Sequence, residues 1–314
     1  NKRVKLLLYK NNKYLPLLNI FVIVELLKIW DTFVVITKRK FSFSILTDLV
    51  FSLTTFFSKK TFTVSTSGSS GMKQELQKKT NSSNKQSKQS KVERIFSSVS
   101  HKYDLMNDIM SFGLHRTWKQ ELIKKIKIKE QDIILDLATG SGDLLELIKE
   151  KSNCICVAYD SNIEMMMQAK KKLKKQKIFY INGMAENIPF KTNTFDFITL
   201  SFGLRNFTNV QKSLVEIRRV LKKKGKFYCL EFSEINNKSL RKIFDLYSKL
   251  IPLYGKLILN NEEAYSYLIQ SIKEFPNQIQ LTKKLLKAGF RKIEVFDVLD
   301  GIASIHVSEI WQTF

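Results

Sequence analysis

From Val92 onward, two hydrophobic rhythms alternate along the chain. Short, dense runs of Ile, Val, Leu, Phe and Tyr predict strands buried on both faces. Longer stretches with an apolar residue every third or fourth position predict amphipathic helices. Strands are expected at Ile133–Leu137, Cys154–Tyr159, Ile178–Ile181, Phe195–Leu200, Lys226–Phe232, Lys292–Val298 and Ile302–Ser308. Between them, helices are expected at Leu144–Lys151, from Ile163 to about Lys174, and at Val210–Leu221, the last closed by Gly225. A helical N-terminal region spans about 92–127, with Ile95, Phe96, Val99 and Tyr103 at helical spacing. A long helical segment spans about 239–273, and a final helix ends at Ala288-Gly289-Phe290. Strand and helix in alternation imply an α/β domain, a mostly parallel sheet with helices on both faces. Two strands in succession at the end imply a hairpin and hence an antiparallel C-terminal strand.

Upstream the pattern changes. Residues 1–71 are basic and acid-poor, with Glu25, Asp31 and Asp48 as their acids. This stretch reads either as an organelle-targeting leader or as translated sequence ahead of Met72, the first Met. The apolar run Tyr14–Ile36 is interrupted by Pro16, Glu25, Lys28 and Asp31, a poor membrane span. Residues 72–91, dominated by Lys, Gln, Ser and Asn, are expected to form a disordered linker. The folded domain is then 92–314.

Charge adds a second question. The 314 residues hold 53 Lys and Arg against 29 Asp and Glu, a net charge of +24. An anionic membrane or a nucleic acid would suit such a surface; so would lysines on solvated helix faces. The Lys runs at 170–175 and 222–224 are not interleaved with aromatics as in a nucleic-acid platform. Cys154, Cys156 and Cys229 lie in strand-like runs without metal or redox spacing and are expected to be buried free thiols. His101, His115 and His306 are scattered, and no metal site is expected.

Chemistry enters at the end of the first strand. Asp136-Leu-Ala-Thr-Gly-Ser-Gly-Asp143 follows an apolar run. Gly140 and Gly142 let the backbone approach a ligand closely, and a helix N-terminus follows. Asp160, ending the next strand, is placed to accept hydrogen bonds from ribose hydroxyls. The third glycine of a dinucleotide turn is missing, and Asp143 stands where a pyrophosphate would be repelled. A cationic, phosphate-free adenosine ligand suits Asp136 and Asp143 better, and S-adenosylmethionine is such a ligand. After strand three, Gly183-Met184-Ala185-Glu186 is expected to hold the adenine through the Ala185 N–H and the Met184 side chain. Strand four ends in Ser201-Phe-Gly-Leu-Arg205-Asn206, a polar cluster at a cleft edge, although Arg205 alone reads equally as a salt bridge. Glu231-Phe-Ser233 ends strand five at the same rim.

The run from Phe96 to Trp118, with Tyr103 inside it, resembles the opening signature of the ubiquinone/menaquinone-biosynthesis C-methyltransferases. So do Asp136–Asp143, Ser201–Asn206, Leu230–Ser233, Tyr265-Ser-Tyr-Leu268 with Ser271-Ile272 and Phe275-Pro276, and Gly301 with His306. The resemblance covers about 92–311. Two departures stand out: Leu221-Lys-Lys-Lys-Gly225 replaces a Pro-Gly-Gly turn, and Met184 replaces an Asn. The resemblance implies the class I S-adenosylmethionine-dependent methyltransferase fold, Rossmann-like and seven-stranded. It implies methylation of a ring carbon of a polyprenylated methoxy-benzoquinol, with demethylmenaquinol as the alternative substrate, or a scaffold role beside other ubiquinone-synthesis enzymes.

By that carry-over Ser141 contacts the cofactor's amino-acid part, Asp160 its ribose, and Met184 with Ala185 its adenine, while Ser201 lies under the sulfonium. Arg205 is expected to stabilise a phenolate or polarise a water, and Asn206 and Tyr103 to orient the ring oxygens. His306 is expected as a base, as part of the site wall, or as a satisfied structural residue. Leu240, Ile243, Leu246, Tyr247 and Leu250 form an apolar stripe that reads as core, as a dimer face, or as a wall for the polyprenyl tail. The leader favours the mitochondrial branch, peripheral on the matrix side of the inner membrane, in a homodimer and a multi-enzyme complex, without nucleic acid.

Overall fold

The computed structural model describes residues 81–100, 103–111, 113–242, 244–245, 248 and 262–310. The leader, the linker up to residue 80 and the stripe residues Ile243, Leu246, Tyr247 and Leu250 lie outside the described residues. The order is α1 (Asn81–Val99), α2 (Tyr103–Ser111), α3 (Leu114–Lys124), β1 (Ile133–Leu137), α4 (Asp143–Lys151), β2 (Ile155–Asp160), α5 (Ile163–Lys172), β3 (Ile178–Asn182) and β4 (Phe195–Ser201). A 3-10 turn (Leu204–Asn206) follows, then α6 (Val210–Val220), β5 (Leu221–Phe232), α7 (Glu262–Glu274), α8 (Gln278–Lys287), β6 (Lys292–Val298) and β7 (Ala303–Glu309).

One seven-stranded sheet runs β3-β2-β1-β4-β5-β7-β6. β7 is antiparallel to both neighbours, and the other pairings are parallel. Alternate strand residues feed opposite faces. Ile134, Cys156 and Leu230 meet Leu122, Leu145 and Ile148 on one side. Leu135, Ile198 and Cys229 meet Leu214, Ile217 and Leu285 on the other. The three cysteines are buried free thiols, as expected. The order reverses direction between β1 and β4, which opens a crevice at the carboxyl ends of these strands.

The region 92–127 is helical as expected, carried by the end of α1, by α2 and by α3; Gly113, at φ 72°, separates α2 from α3. Two sequence expectations need correction. The stretch 81–91, expected as linker, is helical within α1. Its composition is too polar to form a core, but Lys and Gln are sound helix formers. Tertiary anchors hold it: Lys88 Nζ donates to the Phe207 carbonyl at 2.9 Å, and Arg94 pairs with Glu263 of α7 at 2.8 Å. Gly225 does not close α6. β5 begins at once at Leu221 and is bulged opposite Phe195–Phe197. A Cβ at Gly225 would lie 2.8 Å from the Asp196 carbonyl oxygen, so the glycine serves close strand approach.

Candidate active site

The bend after β1 is built from backbone that L-residues rarely adopt. Ala138 has φ 49°, Gly140 59° and Gly142 86°. Thr139 pins the bend: its hydroxyl donates to the Asp136 carbonyl at 2.7 Å and accepts from the Tyr159 N–H at 3.0 Å. A Cβ on Gly142 would sit 2.8 Å from Leu173 Cδ1, so only glycine lets α5 pack this close. Asp160 joins the two neighbouring loops. Its carboxylate accepts the Gly140 N–H at 2.8 Å and the Asn162 N–H at 2.8 Å. Burial nonetheless pushes its pKa up.

These loops open onto a cleft of about 820 Å³, counted with its solvent-filled mouth. Gly140, Asp160, Met184 and Ala185 line it toward β1–β3, and Ser201, Phe202 and Asn206 toward β4. α1 roofs it with Val92, Glu93 and Phe96. Asn162, which caps α5, donates to Ser97 Oγ at 3.0 Å and so ties the roof to the wall. The Tyr159 hydroxyl donates toward the carbonyls of Met184 at 3.1 Å and Asn187 at 3.2 Å, shaping the Met184–Ala185 loop. A Cβ on Gly183 would collide with that hydroxyl. Gly183→Ala is therefore expected to displace the loop, lowering stability by about 1–3 kcal/mol and weakening cofactor binding. Thermal melting and titration calorimetry read the two effects, and an unchanged affinity would show that the loop does not shape the site.

The family model described as the ubiE/COQ5 methyltransferase family matches residues 84–309. The chain belongs to the ubiE/COQ5 methyltransferase family. It is 44% identical over 225 residues to a protein named ubiquinone/menaquinone biosynthesis C-methyltransferase UbiE from Rickettsia bellii, covering 68% of this chain and 90% of that one. The protein of the same name from Methylococcus capsulatus is 40% identical over 222 residues, with the same coverage. Among solved structures, an S-adenosylmethionine-dependent methyltransferase from Aquifex aeolicus superposes with TM-score 0.50 at 20% identity, over 68% of this chain and 98% of that one. A putative methyltransferase bound to the Trm112 activator of Haloferax volcanii superposes with TM-score 0.53 at 15% identity, over 71% of this chain and 99% of that one.

The ubiE/COQ5 chain is thus an S-adenosylmethionine-dependent C-methyltransferase. The cleft suits that cofactor on its own chemistry. It offers a carboxylate at Asp160 and, at Gly140, backbone without a Cβ; behind its wall lies a buried Asp136 Oδ2 that has no hydrogen-bond partner.

Of the residues singled out in the sequence, Gly140, Asp160, Met184, Ala185, Ser201 and Asn206 come together on the cleft wall. Asp136, Ser141 and Gly142 stand behind it. Asp136 takes the Thr199 hydroxyl at 2.6 Å, and burial pushes its pKa up to about 7. The Ser141 hydroxyl donates to Asp104 Oδ1 at 2.8 Å. Tyr103 opens α2; its side chain lies outside the described residues. His306 is fully buried in β7 with Nε2 3.2 Å from the Gln278 carbonyl, and burial lowers its pKa. It is a satisfied structural histidine.

Two expectations fail on geometry. Asp143 does not face a cationic ligand. Its carboxylate binds Lys119 and Lys172, each at 2.6 Å. Burial raises its pKa, but the two ammonium groups outweigh that and hold it well below the usual range. Arg205 is not on the cleft wall. Its Nη1 binds Glu231 Oε2 at 2.9 Å and the Phe202 carbonyl at 2.6 Å. The two side chains are 2% and 1% exposed. The guanidinium therefore braces the floor: it holds Phe202, a cleft residue at φ 56°, in a conformation that costs on the order of 1–3 kcal/mol.

Sequence reasoning missed Tyr267 of α7, whose hydroxyl donates to Asn206 Oδ1 at 3.1 Å. Its only signal was membership of the Tyr265–Leu268 block.

Proposed function

We propose that this methyltransferase methylates a ring carbon of a polyprenylated methoxy-benzoquinol in ubiquinone biosynthesis. The observation that carries the reading is the composition of the cleft. Asp160 and the Met184–Ala185 loop line it from β1–β3, Asn206 and Phe202 line it from β4, and α1 adds Val92 and Phe96. The first group suits an adenosine, and an amide among aromatic and apolar side chains suits an oxygenated aromatic ring. S-adenosylmethionine, when bound, supplies an electrophilic methyl group on a sulfonium. The acceptor must therefore be electron-rich. A quinone carbon is not, whereas a quinol that loses a hydroxyl proton pushes electron density onto the neighbouring ring carbon. The chain's own residues orient that ring and exclude water, which is where the rate gain arises. Asn206 meets a ring oxygen, and α1 closes the apolar side.

Four partner readings belong to the same proposal. A peripheral membrane contact is supported by the outer face of α5, beside the mouth. There Ile163 and Met167 are 60% and 64% exposed, in line with Lys170 and Lys171. Anionic lipid suits such a face, and among the described residues no helix is long and apolar enough to cross a membrane. A matrix-side mitochondrial location rests on the composition of residues 1–71. The homodimer and the multi-enzyme complex rest on the family resemblance alone.

The test is methyl transfer by the full chain from labelled cofactor to a short-chain methoxy-benzoquinol kept reduced, with demethylmenaquinol in parallel. Mass spectrometry locates the new methyl. The expected result is a ring-carbon methyl on the benzoquinol. A preference for the naphthoquinol would reverse the substrate assignment, and cofactor binding without transfer to either would turn the reading toward a scaffold.

A further inference from the structure

Asn206 ends the turn after β4, half-buried on the cleft wall. A side-chain amide has two chemically opposite ends, an accepting oxygen and a donating nitrogen. Which end faces a ligand decides what that ligand must carry. Here the choice is made by a residue that does not line the cleft. Tyr267 donates its hydroxyl to Asn206 Oδ1 at 3.1 Å and so occupies the accepting end. The Nδ2 end has no protein partner among the described residues and is not sealed from solvent.

In this pair Tyr267 is the donor. Burial pushes its pKa up, although the charge of Arg205 pulls the other way, so the hydroxyl keeps its proton at neutral pH. α7 is anchored by Ala264, Tyr265 and Leu268, all buried. At its surface Arg94 of α1 pairs with Glu263 at 2.8 Å, and the Lys91 ammonium stands 6.0 Å from the Tyr267 ring centroid.

We propose that Tyr267 is a positioning residue that fixes the Asn206 amide with its N–H group toward the cleft, so that the site favours an aromatic substrate oxygen carrying negative charge. A hydrogen bond to a charged acceptor is roughly twice as strong as one to a neutral acceptor. The fixed donor therefore stabilises a phenolate over a phenol or a quinone carbonyl, and it lowers the pKa of the hydroxyl it meets. The reduced, partly ionised ring is then selected by the orientation of one amide. The inference rests on the quinol reading above and names the group on that substrate which the site recognises.

Tyr267→Phe removes only the hydroxyl and leaves the packing. Its kcat on the short-chain benzoquinol is expected to fall about tenfold, with the cofactor Kd unchanged. The rising limb of its pH–rate profile should move to higher pH, because the substrate hydroxyl ionises less readily. Asn206→Ala should fall further, and adding Tyr267→Phe to it should cost nothing more, since the two act as one unit. A purely structural Tyr267 predicts additive losses and an unmoved profile, and either result overturns the proposal. An arm free of turnover uses 4-nitrophenol bound beside S-adenosylhomocysteine. Phenolate absorbance should place the bound probe's pKa below its value in water for the wild type, and near that value for Tyr267→Phe. Equal pKa values, or no perturbation in the wild type, overturn the proposal. Wild-type inactivity on the quinol, with the probe shift intact, would sink the substrate reading and spare the positioning role.

Discussion

Glu231→Ala is expected to destabilise the domain by about 3–5 kcal/mol, the usual consequence of removing one member of a buried ion pair. The pair is almost wholly enclosed. Arg205 is 5% exposed and Glu231 is fully buried. Each also holds backbone: Glu231 accepts the N–H groups of Arg205 at 3.3 Å and Phe232 at 3.1 Å. Without the carboxylate the guanidinium stays enclosed, with Nε already unpartnered, and keeps the Phe202 carbonyl and the face of the Phe232 ring as partners. Urea titration followed by circular dichroism measures the loss. The double variant Arg205→Met with Glu231→Leu separates charge from volume. Two apolar side chains of similar size are expected to recover most of the stability. Activity should not recover in parallel, because Phe202 loses the bond that fixes its left-handed backbone. If the double variant were as unstable as Glu231→Ala, a buried unpaired charge would not be the cause.

The second large effect is a pH dependence with an unusual sign. Burial raises the Asp136 pKa from 3.8 to about 7. Between those values the native state binds more protons than the unfolded chain, so stability falls as pH rises. At about 1.4 kcal/mol for each unit of difference, the decline from pH 4 to pH 7 amounts to about 4 kcal/mol at most. Asp160 and Glu231, also raised by burial, add a slope of the same sign. Asp143 opposes them only in stronger acid, because its carboxylate is held low. The buried His115 and His306 oppose them between pH 5 and about 6.5, because burial lowers their pKa values and there the unfolded chain binds the extra protons. The measurement that isolates Asp136 is the change in denaturation midpoint between pH 5 and pH 8 in the wild type against Asp136→Asn, and the wild type is expected to lose more stability on going to pH 8. An equal change in both proteins would mean that Asp136 is already ionised at pH 5.

The parallel sheet was legible because its central strands β1, β2, β4 and β5 are buried on both faces over most of their length and therefore appear as dense apolar runs. The glycine bend and Asp160 were legible because both depend on local chain order. The unread features depend on contacts distant in sequence. An arginine after a strand does not disclose whether it turns toward the cleft or toward a glutamate 26 residues on, as Arg205 does. Asp143 looked available for a cation because Lys119 and Lys172 come from other helices. The polar stretch 81–91 carries no periodicity that would distinguish a tethered helix from a linker, since Lys88 is held by carbonyls beyond β4. Tyr267 had no reason to be paired with Asn206, 61 positions away.

The roof helix has a consequence for how the enzyme is made. α1 is synthesised before every group that holds it, and those groups arrive in stages: Asn162, the partner of Ser97, comes 65 residues later, the Phe207 carbonyl lies 119 residues behind Lys88, and Glu263 lies 169 behind Arg94. A nascent chain arrested before α7 can therefore hold β1–β5, the glycine bend and the roof over it, and still lack Tyr267, the partner of Asn206. The cofactor half of the cleft can be assembled before the half assigned to the substrate.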